Sequence, residues 1–169
     1  MINLVNEAFP HIETCLSKIS DKHSYVFEDN ELKKGVFVTI NQPRHLHIEN
    51  RISTDFYFIQ NDDCIMNNFK GGQCDYVIFN SNKFHFIEVK VAKGSLLNKK
   101  TKTKAYDQIA NTFKYYSKRI VFSDEVFLIG LICVSKSSRI IQPSKSTKRK
   151  EFKEKYKIDL QEGNYILFE

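Results

Sequence analysis

The sequence predicts an α/β (α+β) domain with a mixed central β-sheet flanked by helices. Three observations carry that expectation. Strand-like and helix-like runs alternate from residue 74 onward, two apolar runs flank a short polar turn at 80–83, and residues 24–59 are rich in short β-type runs. A chain of 169 residues, 41% of them hydrophobic, can bury one core but not two ordinary ones. The expected organisation is one domain over 1–169, with a core at 70–135 and a basic appendage at 136–157.

Taken in order, residues 3–19 place Leu4, Val5, Ala8, Ile12, Leu16 and Ile19 at three- and four-residue steps. That is the period of an amphipathic helix, which Pro10 would kink or split. β-type runs follow at 24–27, 35–40, 45–48 and 55–59, separated by polar turn material such as Glu28-Asp29-Asn30 and Asn41-Gln42-Pro43. Their pairing is not legible. The clearest signal is an apolar run at 74–79, a turn, and a second run at 84–91, which together read as a hairpin. A basic linker at 98–103 precedes a helix capped by Thr103 and running to residue 118, with Ala105, Ile109 and Phe113 facing inward. A buried strand is expected at 126–134, a polar basic segment with a helix near 148–157 after it, and a closing strand at 164–168.

The longest apolar run, 126–134, is interrupted by Gly130 and falls short of the roughly 20 residues that a membrane span requires. With no basic, apolar leader at the N-terminus, a cytoplasmic location without a membrane partner is expected. The four cysteines, Cys15, Cys64, Cys74 and Cys133, show no CxxC spacing, so reduced thiols are expected rather than zinc or a disulfide. The net charge of +6 is uneven: residues 1–89 hold 8 basic and 12 acidic groups, and residues 90–169 hold 18 and 8. Such asymmetry points to a polyanionic partner.

The hairpin carries the chemistry. With Ser81 and Asn82 at the centre of the turn, Phe79 faces Phe84 and Asp75 faces Glu88; a four-residue loop at 80–83 gives the same register. Lys90 lies on the face of Glu88, because strand side chains repeat every second residue. Two carboxylates about 5 Å apart in an effective dielectric of about 20 repel by about 3 kcal/mol. Lys90 offsets part of this, and a divalent cation would turn the repulsion into coordination. Hard oxygen donors suit Mg²⁺ or Mn²⁺, with the carbonyl of Val89 as a further ligand. Such a site suits phosphodiester hydrolysis, with Lys90 beside the attacking water and the phosphate.

The segment GGQCDYVIFNSNKFHFIEVKVA resembles the core of the PD-(D/E)XK, or restriction-endonuclease-like, nuclease superfamily. Asp75 matches the first acidic position, and Glu88 and Lys90 match the acidic-x-Lys that follows. Cys74 stands where the proline of the name would be. The resemblance covers residues 70–135 and implies a restriction-endonuclease-like core and an Mg²⁺-dependent (deoxyribo)endonuclease, with DNA favoured over RNA. It also implies a glutamine near the site, Gln108, and a further acidic ligand from the first helix, for which Glu7 and Glu13 are the candidates. Thr112 occupies the position, four residues after Gln108, where some exonuclease branches carry tyrosine. Nucleases of this resemblance often work as pairs, so a homodimer or larger assembly is expected.

Glu-x-Lys alone is uninformative, since Glu31-Leu32-Lys33 and Glu151-Phe152-Lys153 share it. The β context and the register of Asp75 against Glu88 discriminate. His45 and His47 alternate with Glu49, and without a distant third ligand they read as surface residues. Basic segments at 95–119 and 136–157 would follow a phosphate backbone without reading sequence. Two alternatives stand beside the nuclease: a non-catalytic nucleic-acid-binding or assembly module on the same fold, and a phage-defence effector activated by a partner.

Overall fold

The computed structural model describes residues 1–29, 31, 32, 34–52, 54–66, 69, 71–90, 97–134, 142, 143 and 147–169. Val91, the end of the second expected hairpin strand, and most of the polar segment 135–146 lie outside the described residues.

The N-terminal segment corrects the first expectation. Helix α1 spans Ile2–Ala8, a 3-10 turn spans Ile12–Thr14, and the chain then enters strand β1 (Leu16–Ile19). Pro10 has no amide proton to continue the helix, and the apolar residues beyond it reach the core from a turn and a strand instead. Strands β2 (His23–Asp29), β3 (Lys34–Val38), β4 (Leu46–Asn50) and β5 (Phe56–Gln60) come next, followed by a single π-type turn at Asn61–Ile65. The hairpin is β6 (Tyr76–Phe79) and β7 (Lys83–Lys90), and Tyr76 pairs with Ile87 and Phe79 with Phe84, the register expected from the sequence.

Helix α2 covers Lys99–Ser117. Its cap is Asn98, whose side chain accepts the amide of Thr101 at 2.9 Å, so the supposed basic linker is the helix's first turn. Strand β8 (Phe127–Val134), the two-residue β9 (Gln142–Pro143), helix α3 (Thr147–Tyr156), and strands β10 (Asp159–Gly163) and β11 (Tyr165–Phe168) complete the chain.

The strands form two mixed sheets. The larger has the order β1-β5-β6-β7-β8-β10-β9, with β7, β8 and β10 parallel to one another. The β7–α2–β8 connection is the crossover that a parallel pair requires. The smaller sheet has the order β11-β4-β2-β3. One face of the β6–β7 hairpin packs Val77, Phe79, Phe84 and Phe86 against Ala105, Ile109 and Tyr116 of α2. The other packs Tyr76, Ile78, Ile87 and Val89 against Val26, Leu46, Ile48 and Phe168 of the smaller sheet. Burial on both faces explains why these strands read as nearly continuous apolar runs. Phe152 of α3 is buried in the α2-side core, so the basic C-terminal helix is integrated with the domain. At Gly130 a Cβ would meet Leu160 at 2.8 Å and Ile109 at 2.9 Å, so only glycine lets α2 lie this close to β8.

The expectation of reduced thiols is corrected for one pair: Cys15 and Cys64, 49 residues apart, form a disulfide. Antiparallel pairing of β1 with β5 puts the Gln60 amide on the Cys15 carbonyl at 3.0 Å, and the π-type turn then brings Cys64 back to Cys15. Close-spacing motifs do not report a bridge made by strand pairing. Cys74 and Cys133 are free and buried, as small hydrophobes. Among the described residues, no helix is long and apolar enough to cross a membrane.

Candidate active site

The hairpin opens at one end. Past the Tyr76–Ile87 pair the two strands part, because Cys74 spends its backbone groups elsewhere. Its amide donates to Thr112 Oγ1 at 2.8 Å, and its carbonyl accepts from Asn61 Nδ2 at 2.8 Å. Asn61 is itself held by the Tyr116 hydroxyl at 3.0 Å. The amide of Val89, left without a strand partner, donates instead to Asp75 Oδ2 at 2.6 Å. The Asp75 carboxylate therefore lies at the edge of β7, in the plane of the sheet and within reach of both faces. N–H and C=O of one extended residue point the same way, so the Val89 carbonyl faces the same opening.

On the α2 face, Lys90 Nζ donates to Glu88 Oε1 and, at 3.3 Å, to Gln108 Oε1. Gln108 is fixed in turn, its Nε2 donating to the Gln73 carbonyl at 2.8 Å. The chain passes close enough for this bond because Gly72 adopts a φ of 75°; a Cβ there would meet Gln108 Cγ at 3.1 Å. Glu88 is 1% exposed, whereas Asp75, Lys90 and Gln108 are half-buried, so the site opens past these three. Glu88 Oε2 is buried with no hydrogen-bond partner.

Burial dominates the electrostatics. It pushes the Glu88 carboxyl up to about 8, with the neighbouring Asp75 adding to the rise and Lys90 opposing it. It pushes Asp75 up to about 6, against the opposing pull of the Val89 amide and Lys90. Carboxyls displaced this far beside a lysine mark this cluster as the candidate site.

The structure thus brings Asp75, Glu88, Lys90 and Gln108 together, with Val89 between them. It does not bring Glu7 or Glu13. Both are exposed, on α1 and on the 3-10 turn, and neither is among the charges acting on Asp75 or Glu88. The additional carboxylate is Glu28 on β2, on the opposite side of the hairpin. Burial raises it to about 7, and Asp75 and Asp62 raise it further. Its Oε2 is also buried without a partner. Asp62, in the π-type turn, accepts a hydrogen bond from Gln73. Sequence reasoning took Glu28 for turn material, and no local signal marks it, since its position depends on how the smaller sheet packs.

His47 is not a surface residue, and His45 is half-buried. His47 is buried, stacking on Tyr25 with centroids 4.6 Å apart, and His45 Nδ1 accepts the Glu28 amide at 2.9 Å. Tyr25 and Tyr165, from the neighbouring strands β2 and β11, close over His47, and Phe27 stacks on His45 with centroids 4.7 Å apart.

Among the described residues, no three His, Cys, Asp or Glu side chains are gathered closely enough to form a ready ligand set. Glu88 and Asp75 nonetheless fit a hard divalent cation. They are oxygen donors side by side, and one buried carboxylate oxygen has nothing to bind. The chain matches no family model, no curated protein and no solved structure.

Proposed function

We propose that the chain is a metal-dependent nuclease with a restriction-endonuclease-like core, hydrolysing phosphodiester bonds, DNA in preference to RNA. The observation that supports this is the meeting of Asp75, Glu88, Lys90 and Gln108 where the β6–β7 hairpin opens, with the buried Glu88 Oε2 unpartnered.

Asp75, Glu88 and the Val89 carbonyl would hold Mg²⁺ or Mn²⁺, which supplies charge neutralisation at the phosphate and a more acidic attacking water. The residues of the chain do the rest. Lys90, held by Gln108 on one side and Glu88 on the other, presents an ammonium group to the phosphate and hydrogen-bonds the attacking water. Gln108 is a positioning residue; its bond to the Gln73 carbonyl fixes which end of its amide faces Lys90. Glu88, buried and raised, is ionised and able to ligate only once the ammonium or a cation compensates its charge. The excess of basic groups in residues 90–169 suits a phosphate backbone without sequence-specific readout.

The test is incubation of wild type and Asp75→Ala with circular DNA, linear DNA and RNA, each in Mg²⁺, Mn²⁺ or EDTA. Nicking or linearisation of circular DNA by wild type, lost in EDTA and in the variant, is the expected result. Salt-sensitive binding without cleavage of any substrate would point to a non-catalytic module. Sedimentation of the same preparation tests assembly into pairs.

A further inference from the structure

A second cleft lies at the other end of the sheet. It has a volume of about 1040 Å³ and is bounded by the C-terminal turn of α2, the loop from Ile120 to Val126, the start of β8, and α3. Lys83 lines it and Lys90 lies at the carboxylate site, so the length of β7 separates the two, about 23 Å at about 3.3 Å per residue.

Its lining combines two chemistries. Phe113, Phe122, Phe127 and Tyr156 supply aromatic surface, and Phe127 is 64% exposed although it begins a central strand. Lys83, Arg149, Lys153 and Lys157 supply positive charge against the acids Asp124 and Asp159. Arg149 is bound to Asp159 at 3.1 Å, and Lys83 Nζ donates to the Leu167 carbonyl at 3.1 Å. The ammonium groups offered to a ligand are therefore those of Lys153 and Lys157, both exposed. Lys157 has a φ of 60°, where glycine would be less strained, yet the position carries a cationic side chain at the mouth of the cleft.

An open aromatic face beside two ammonium groups selects a ligand that is planar and apolar at one end and anionic at the other. An alkyl chain would leave the ammonium groups unanswered, and a simple phosphate would leave the rings bare. We infer that this cleft is a nucleotide-binding site, taking a base against Phe127 and Phe122 and its phosphate on Lys153 and Lys157. The same chemistry is presented by a free mononucleotide and by an unpaired nucleotide of a nucleic-acid strand. The inference does not rest on cleavage at the carboxylate site, because the assay reads binding in EDTA.

The chain contains no tryptophan, so Phe127→Trp places a single tryptophan in the cleft, excited selectively beyond the absorption of the tyrosines. The full-length variant is titrated in EDTA with AMP, with dTMP and with a six-residue oligothymidylate. A stacked base should quench the emission saturably. Quenching by mononucleotides and oligonucleotide together identifies a free-nucleotide site, and quenching by the oligonucleotide alone identifies a site for an unpaired strand. Adding Lys153→Glu should weaken either about tenfold. Calorimetry on wild type and Phe127→Ala checks the same contact without the reporter, with about tenfold weaker binding expected in the variant. Both positions are exposed, and an unchanged melting curve verifies that each variant is folded. No quenching by any of the three probes, or binding undiminished by Lys153→Glu and Phe127→Ala, would overturn the inference.

Discussion

Glu88→Gln isolates the electrostatics of the carboxylate site, because it removes one of two neighbouring charges and keeps the shape. Two carboxylates on the order of 5 Å apart in an effective dielectric of about 20 repel by about 3 kcal/mol, and burial, the larger cause of the raised Glu88, adds to the cost of its charge. Lys90 exchanges a charged acceptor for a neutral one, a loss of about 1 kcal/mol. The variant should therefore be at least about 2 kcal/mol more stable than wild type when both carboxyls are ionised, a rise in Tm of roughly 4–8 °C or more for a domain of this size, with relief of the buried charge adding to it. The sign with pH follows from the raised Glu88. Between the unfolded value of about 4.3 and the folded value of about 8, the native chain binds more protons than the unfolded one, so wild-type stability falls as pH rises through that window. The advantage of the variant is absent at pH 5 and complete at pH 9. Magnesium at about one hundred times its Kd should restore about 2.7 kcal/mol to wild type and nothing to the variant, which should also lose cleavage. Urea unfolding in EDTA and in MgCl₂ at both pH values measures all of this. A variant less stable than wild type at pH 9 in EDTA, or one that keeps the magnesium shift, would refute the reasoning, for Glu88 would then be an anchor for Lys90 and no ligand.

Lys90→Met should lower metal-dependent cleavage by about 10²-fold or more with an unchanged far-ultraviolet spectrum, since the ammonium acts at the phosphate and its stem remains. His85 is buried and its imidazole is pushed down to about 3 by that burial, so the unfolded chain binds more protons between pH 3 and about 6.5. Its contribution is complete above about 6.5 and lost on acidification, on the order of 4 kcal/mol by pH 3, and His85→Leu should flatten that part of the acid unfolding curve. Gly130→Ala should destabilise by about 1–3 kcal/mol in thermal or urea unfolding, because its methyl group would push α2 and β10 away from β8.

What was legible in the sequence is what local pattern determines. The β6–β7 register follows from a short turn between two apolar runs, and with it the shared face of Glu88 and Lys90; the direct facing of Asp75 and Glu88 does not form, because the ladder ends at Tyr76–Ile87 and Asp75 turns to the Val89 amide. Gln108 was reachable through the resemblance alone. The illegible parts all depend on contacts between distant segments. Leu16 and Ile19 continue a helical period, yet they form a strand because β5 offers an edge to pair with. Cys15 meets Cys64 through that same pairing, which no spacing rule encodes. His47 alternates as an exposed strand residue would, but Tyr25 and Tyr165 close over it from neighbouring strands of the smaller sheet. Strand β10 went unread because Asp159-Leu160-Gln161-Glu162 carries one apolar residue in four, and its place is set by parallel pairing with β8.

The opening of the hairpin explains why acids can gather there at all. In a continuous ladder Cys74 would pair with Val89, and Asp75 would be one more side chain on a packed face. Thr112 and Asn61 draw the Cys74 backbone away, so Asp75 takes the Val89 amide and stands where both faces of the sheet are accessible. Glu88 then approaches from the α2 side and Glu28 acts from the smaller sheet, while Asp62 joins through the π-type turn. All four acids come from residues 1–89, the half of the chain with more acidic than basic groups, whereas the excess of lysine and arginine lies in the half that follows. The charge asymmetry of the sequence therefore reflects, in part, a division of labour. One half concentrates carboxylates, of which Glu88, Asp75 and Glu28 are raised chiefly by burial and further by acidic neighbours, and the other supplies the ammonium of Lys90 and the surplus of cations. A site built this way is held together less by its own side chains than by the bonds that the side chains of Asn61 and Thr112 make to the Cys74 backbone around it, none of which carries charge.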